Sequence, residues 1–103
     1  MKRYSLIYLL NDQYQHVSFD AHSEAVTVME RLLTNPKRQP LGIYDAKTEL
    51  FQWSSPHQLP YSQASTEEQA QRGNDIISVA QALRRRDASW HPADGFRRPS
   101  FFA

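Results

Sequence analysis

The segment Leu41–Trp53, with the sequence LGIYDAKTELFQW, has two short apolar runs on either side of a polar turn. This pattern predicts a β-hairpin. Most of the apolar surface that a small sheet would bury comes from four side chains: Leu41, Ile43, Phe51 and Trp53. The hairpin therefore sets the expected fold, and the rest of the chain is interpreted as additions to its sheet.

The turn of this hairpin, Asp45–Thr48, contains no glycine. Two-residue hairpin turns depend on residues that tolerate the left-handed backbone region, of which glycine is the commonest. Asp45 and Thr48 can instead bond to the local main chain, so we expect a turn of four or five residues. Thr48 or Glu49 would then carry some backbone strain.

The residues before the hairpin predict a second hairpin and a helix on the same sheet. Tyr4–Leu10 is apolar on both faces, which is typical of a central strand, and residues 11–13 predict a turn. The return strand, Tyr14–Asp20, has one polar face, as expected at an edge or a solvated side. A helix follows, with Ser23 as its N-cap and an apolar stripe that ends before Pro36. The element order is ββαββ.

The residues after the hairpin lose strand character. Residues 55–65 contain two prolines and no periodicity, which predicts a loop. Ser65 and Glu68 match a capping box, and an amphipathic stripe predicts a helix over about 75–86, either separate from the capping box or continuous with it. We therefore predict one small α+β domain over residues 1–103. It would have a four-stranded antiparallel sheet with one packed helix at 1–54, a loop at 55–65, a helical segment at 66–87 and an irregular, aromatic and arginine-rich tail at 88–103.

Composition limits the classes of protein. The chain has 103 residues, a net charge of +1 and a mean hydropathy of −0.69, which fits one small polar domain. It has no cysteine, so disulfides and thiolate metal ligands are excluded. The N-terminal sequence MKRYSLIYLL has an apolar run shorter than the roughly 7–15 residues of a signal peptide. No stretch approaches the roughly 20 apolar residues of a membrane span. We expect a cytoplasmic protein that does not bind membranes.

Imidazole and carboxylate groups gather near the end of the second predicted strand, at His16, Asp20, His22 and Glu24. Such groups hold a divalent metal or form an acid–base pair when they converge. Their spacing matches no defined motif, and acidic residues are favoured at a helix start in any case. A metal-dependent hydrolase using His16, Asp20 and His22 is therefore only a third hypothesis.

Other signs of an enzyme are weak. His57 and His91 lie beside prolines in predicted loops, and nothing in their spacing predicts a site. The glycines form no phosphate-binding loop, and no serine lies in a G-x-S-x-G motif. We expect no catalytic residues, no metal site and no cofactor.

The only electrostatic asymmetry lies at the C-terminal end. Residues 84–103 carry five arginines against two aspartates, a net charge of +3. Aromatic side chains accompany them, and aromatic residues and arginine are enriched in protein interfaces. We therefore predict a partner-binding segment of nine residues: Arg84, Arg85, Arg86, Trp90, Phe96, Arg97, Arg98, Phe101 and Phe102.

The leading functional hypothesis is a small non-catalytic protein-interaction or assembly module that forms a homodimer, because isologous dimers are the commonest assemblies. The alternative is a nucleic-acid-binding protein, since arginine pairs with phosphate and aromatic rings stack on unpaired bases. The helix dipole by itself favours arginine at a helix C-terminus, and the overall charge is small, so nucleic acid is the less favoured partner. The sequence leaves open whether the tail packs on its own domain, on a dimer mate or on another molecule.

Overall fold

The sheet is built from two hairpins with a helix between them. The computed structural model describes residues 2–89, and the side chains of residues 2–86. The elements are β1 (Tyr4–Leu10), β2 (Gln13–Phe19), α1 (His22–Leu32), β3 (Arg38–Asp45), β4 (Leu50–Trp53), α2 (Ser55–Gln63) and α3 (Thr66–Ser89). The strands form one antiparallel sheet in the order β2-β1-β3-β4. The predicted α+β fold and ββαββ order are confirmed.

Strand β1 is central, and its two apolar faces serve two different helices. Leu6 and Ile7 are both fully buried, and they point to opposite faces because side chains alternate along a strand. Leu6 packs with Ala25 and Met29 of α1. Ile7 packs in a second cluster that includes Ile76 of α3, together with Ala80 and Leu83. The sheet therefore lies between α1 on one face and α3 on the other.

An irregularity between β1 and β3 changes how the second hairpin uses its apolar residues. Ile7 pairs with Gly42 and Tyr8 pairs with Pro40, so Leu41 is an extra residue in β3. Strict alternation would place Leu41 on the same face as Ile43. Instead, Leu41 packs in the α3 cluster, while Ile43 packs against α1. The bulge thus allows one strand to supply both cores.

The turns differ in length from each other, and both contain left-handed residues. Asn11 and Asp12 have φ values of 53° and 62° and form a two-residue turn, so β2 begins at Gln13 rather than at the predicted Tyr14. The second hairpin has the longer turn predicted for it, and Glu49 is its strained residue, with φ 60°. The Asp45 side chain accepts a hydrogen bond from the Lys47 main-chain N–H at 2.9 Å, as expected for such a turn.

The start of α1 differs from the sequence-based expectation. The N-cap residue is Ala21, which makes no side-chain capping bond, and Ser23 lies inside the first turn. The Ser23 carbonyl accepts a hydrogen bond from the Thr27 hydroxyl at 2.9 Å. The preference of serine for N-cap positions predicted that the helix would begin after Ser23. Strand β2 ends at Phe19, and the helix begins earlier than this prediction.

The predicted loop at 55–65 is wrong, because residues 55–63 form helix α2. Pro56 lies in the first turn, where its missing N–H costs nothing. No side chain of α2 is fully buried, and its packing comes from aromatic contacts. His57 and Tyr61, one helical turn apart, both lie against the Trp53 ring, at centroid distances of 6.4 and 5.2 Å. This tertiary contact stabilises α2 as a helix, although its two prolines and its lack of an apolar stripe do not favour one.

Helix α3 is one continuous helix, longer at its C-terminus than predicted. Its predicted N-cap is present, since the Ser65 hydroxyl accepts the Glu68 N–H at 3.2 Å, while the Glu68 carboxylate accepts a hydrogen bond from Arg72 at 2.9 Å. It passes through Gly73 and reaches Ser89, so residues 87–89, expected to be irregular or a helix end, are helical. No helix in residues 2–89 is both long and apolar enough to cross a membrane.

Candidate functional site

The predicted partner-binding residues divide into three groups in the structure. The Arg84 guanidinium is half-buried and donates a 2.7 Å hydrogen bond to the Ser5 hydroxyl on the α3 face of the sheet. Arg85 and Arg86 are exposed near the end of α3. The other six residues of the prediction lie outside the described part of the chain: Trp90, Phe96, Arg97, Arg98, Phe101 and Phe102.

The residues of the predicted metal or acid–base cluster do not converge. His16 alternates with Val17 and lies on the α3 face of β2. His22 lies at the start of α1, on the opposite face, where its Nε2 is 2.7 Å from Oε1 of Gln52. Asp20 is exposed in the connection between these elements. In residues 2–86, no group of three or more carboxylate or imidazole side chains is arranged to hold a metal ion.

His57 is part of the aromatic packing of α2 and not of a loop. Its ring lies against Trp53, and its Nε2 is 3.2 Å from the Gln39 amide nitrogen. Burial lowers the pKa of His57, because removing a charged imidazolium from water is unfavourable. The remaining predicted histidine, His91, lies outside the described residues.

The strongest feature of this fold for binding another chain is the outer edge of β2. Within residues 2–89, β2 has a strand neighbour on one side only, which is β1. A two-residue turn is closed by a hydrogen-bonded pair, here Leu10 and Gln13, and alternate pairs beyond it are hydrogen-bonded in the same way. The main-chain N–H and C=O groups of Tyr14 and Ser18 therefore point away from β1, toward the position that another strand would occupy.

The sequence of β2 carries none of the usual protections of a sheet edge. Its seven residues, QYQHVSF, include no lysine, proline or glycine, and its pairing with β1 has no bulge. Two large side chains remain exposed along it, Tyr14 at 46% and Val17 at 39%. The opposite edge strand, β4, has only four residues, and short strands are themselves a protection.

The strand is held firmly in place by its polar face. The Ser18 and Ser5 hydroxyl oxygens are 3.3 Å apart, and Arg84 of α3 donates to Ser5. This chain of contacts ties β1, β2 and α3 together under the edge. A preformed, rigid edge loses little conformational freedom on pairing, which favours association.

The sequence contained part of this signal. Strand Tyr14–Asp20 was predicted as an edge or a solvated strand, and its edge position is confirmed. The sequence also shows that QYQHVSF has no charged side chain, but only the strand order shows that this uncharged strand lies at an edge.

The sequence matches no protein-family model, and no curated protein or solved structure gave a match. The role of the β2 edge is therefore inferred from its own geometry.

Proposed function

We propose that this chain is a non-catalytic assembly module that forms a homodimer by pairing the β2 edges of two copies. The observation that carries the proposal is the seven-residue edge strand without charge, proline or bulge. Such an edge is a template for the main chain of another strand. Addition of a strand to an exposed sheet edge is also a common mode of protein recognition.

A second copy of the chain is the partner that fits this edge best. Two identical strands can pair antiparallel about a twofold axis beside His16, the middle residue of β2. Tyr14 then lies opposite Ser18 of the partner subunit, and the outward main-chain groups of both residues are matched. Since QYQHVSF has no formally charged side chain, two copies do not repel each other along the strand.

The same pairing covers exposed apolar surface. Val17 would lie opposite Gln15 of the partner subunit, on the face that also carries Phe19. Phe19 would lie opposite Gln13 of the partner subunit, so the end of the partner's strand would cover part of the shallow depression that Phe19 and Val28 line between β2 and α1. Burial of this surface would add a hydrophobic contribution to the main-chain hydrogen bonds.

The experiment is light scattering after size-exclusion chromatography, applied to the full chain and to two matched variants. We expect a wild-type mass of twice 12.0 kDa. Val17→Lys places a charge on the edge and should raise the dimer dissociation constant by about tenfold or more, because burying that charge costs at least about 1.4 kcal/mol. Leu33→Lys is the control, since Leu33 has nearly the same exposure, 37% against 39%, but lies at the end of α1.

Two other outcomes would contradict the β2 dimer. A wild-type chain that is monomeric at all concentrations up to several hundred micromolar would rule it out. A dimer that tolerates Val17→Lys but is lost when residues 90–103 are removed would assign the interface to the tail. That second result would support the nine-residue segment predicted from the sequence instead.

Nucleic-acid binding is tested with the same preparations. A single-stranded oligonucleotide that binds the protein, with an affinity that falls steeply as salt rises, would favour the arginine-rich segment as the functional site. The hydrogen bond from Arg84 to Ser5 leaves fewer of the Arg84 donors for phosphate.

We propose the cytoplasm as the compartment of this protein, because a chain without cysteine gains no disulfides in an oxidising compartment.

A further inference from the structure

A concave surface that the β2 edge does not use lies on the α1 side of the sheet, between the first turn of α1 and the second hairpin. It encloses about 390 Å³. We call it the hairpin pocket, and its main lining residues are Tyr4, His22, Ile43, Thr48, Leu50 and Gln52. Its volume lies within the range of roughly 300–1,000 Å³ that is typical of small-molecule sites.

One wall of the hairpin pocket is fixed by an ion pair. The Arg3 guanidinium donates to both carboxylate oxygens of Asp45, at 2.8 and 2.7 Å. The same guanidinium lies over the Tyr4 ring, 4.9 Å from its centroid. The Ala46 main-chain N–H also donates to the Arg3 carbonyl, at 3.0 Å. Tyr4 is therefore held in position by the β3–β4 turn before any ligand arrives.

A second wall is formed by a polar pair. The His22 ring meets the Tyr4 ring edge-on, with centroids 5.4 Å apart, and its Nε2 is 2.7 Å from Oε1 of Gln52. An amide oxygen can only accept, so Nε2 of His22 is the donor. The Gln52 amide nitrogen then keeps its two N–H donors, and it makes no hydrogen bond to any other residue among 2–86. These donors lie at the rim of the pocket.

The apolar side of the hairpin pocket includes a leucine that stays in water. Leu50 is 68% exposed, whereas Ile43 beside it is buried. Leu50 directly follows Glu49, whose left-handed backbone costs about 1–3 kcal/mol for a residue of this type. Glu49 closes the β3–β4 turn, and Leu50 follows as the first residue of β4, where it lines the pocket.

The charged groups that line the hairpin pocket do not favour an ionic ligand. Asp45 is the one carboxylate in the lining, and the Arg3 guanidinium compensates its charge. The rest of the pocket lining is aromatic and aliphatic surface, with the amide donors of Gln52 at one side. Such a site gains most from a ligand that offers a flat apolar ring and one acceptor atom.

We propose that the hairpin pocket binds a small, neutral aromatic molecule with a hydrogen-bond acceptor, its ring against Tyr4 and Leu50 and its acceptor on the Gln52 amide nitrogen. This site shares no residue with the proposed β2 interface. Its ligand and the dimer can therefore be tested independently.

The test uses a matched pair of probes, 1-indanone and indane, which differ in the carbonyl oxygen. Each is titrated into the ¹⁵N-labelled full chain, and the amide signals of the lining residues are followed by NMR. We expect 1-indanone to bind about two- to twelvefold more tightly than indane, the factor that one hydrogen bond of about 0.5–1.5 kcal/mol provides. Gln52→Met should remove this difference and leave the affinity for indane unchanged.

A second variant tests the apolar wall. Leu50→Ser should weaken the binding of both probes at least threefold, since it removes contact area at the mouth of the pocket. Leu59→Ser is the control, because Leu59 is similarly exposed, at 62%, but lies on α2 and does not line the hairpin pocket. Circular dichroism confirms that each variant is folded. If Gln52→Met disturbs the fold, the affinities of the two probes for the wild-type chain decide whether the carbonyl oxygen of 1-indanone contributes to binding.

Three results would overturn the proposal. The two probes binding the wild-type chain with equal affinity would exclude the role of Gln52. Equal effects of Leu50→Ser and Leu59→Ser would show that the probes only coat the surface. Binding of both probes without any shift of the amide signals of the lining residues would place the binding site elsewhere on the chain.

Discussion

Replacing Gly42 with alanine tests the register on which the sheet depends. A Cβ atom at Gly42 would overlap the main-chain carbonyl oxygen of Gln52 in β4 and lie 2.6 and 2.7 Å from two ring carbons of Phe51. The carbonyl belongs to the neighbouring strand, so it cannot move without disturbing the β3–β4 pairing. The glycine is thus required for close approach and not for an unusual backbone angle, since no glycine among residues 2–89 has positive φ.

The expected cost of Gly42→Ala is about 2–3 kcal/mol, the upper part of the range for overpacking, because one of the clashing atoms is main chain. For a domain of this size that corresponds to a fall in Tm of roughly 10–20 °C. Gly73→Ala is the matched control. A Cβ there meets only the Tyr61 hydroxyl, at an ordinary 3.8 Å, and alanine is better than glycine within a helix by about 1 kcal/mol.

The two substitutions should therefore change stability in opposite directions, a decrease for Gly42→Ala and an increase for Gly73→Ala. Urea unfolding followed by circular dichroism measures both, with a shared slope as the check that the denatured states are comparable. A Gly42→Ala protein within about 0.5 kcal/mol of wild type would refute the close approach of β3 and β4. A destabilised Gly73→Ala protein would refute the continuous helix α3.

Two further predictions concern side chains that join distant parts of the chain. The hydrogen bonds from Arg3 hold the pKa of Asp45 well below its ordinary value, so the ionised carboxyl stabilises the fold above the unfolded-state pKa and this contribution is lost as the pH falls. Wild type should be more stable than Asp45→Asn by a constant margin above about pH 5 and by a shrinking margin from there to pH 2, and equal pH profiles for the two proteins would contradict the ion pair. Ser54 is fully buried and donates to the Pro40 carbonyl at 2.8 Å, so Ser54→Ala should cost about 1–3 kcal/mol, while the exposed neighbour changed as Ser55→Ala should cost little. Similar unfolding midpoints for these two alanine variants would show that the Ser54 bond is not needed.

Much of the sheet could be predicted from local pattern. Tyr4–Leu10 is apolar on both faces, and this alone indicated a central strand covered on two sides. The hairpin at Leu41–Trp53, the helix that ends before Pro36 and the N-cap at Ser65 could be predicted for the same reason, because each depends on residues close together in the chain. The polar face of the second strand predicted an edge or a solvated side, and the strand order makes β2 an edge.

The errors have a common physical origin. Helix α2 is stabilised by His57 and Tyr61 against Trp53, a contact with another element that no property of its own sequence reveals. The continuity of α3 through Gly73 was one of two alternatives left open by the sequence, and packing decides it, since its apolar residues cover the sheet face that Ile7 and Leu41 present. Intrinsic propensity is a weak guide wherever such contacts compete with it.

The candidate sites show the same division between sequence and tertiary structure. The sequence by itself determined that β2 lacks charge and that Leu50 lies beside a hairpin turn, because these are properties of neighbouring residues. It did not determine that His16 and His22 face opposite sides of the sheet, or that Arg84 reaches Ser5 across 79 positions. Only the tertiary structure decided which edge is open and which side chains enclose the hairpin pocket, because strand order and the approach of distant segments arise from packing two helices on a shared sheet.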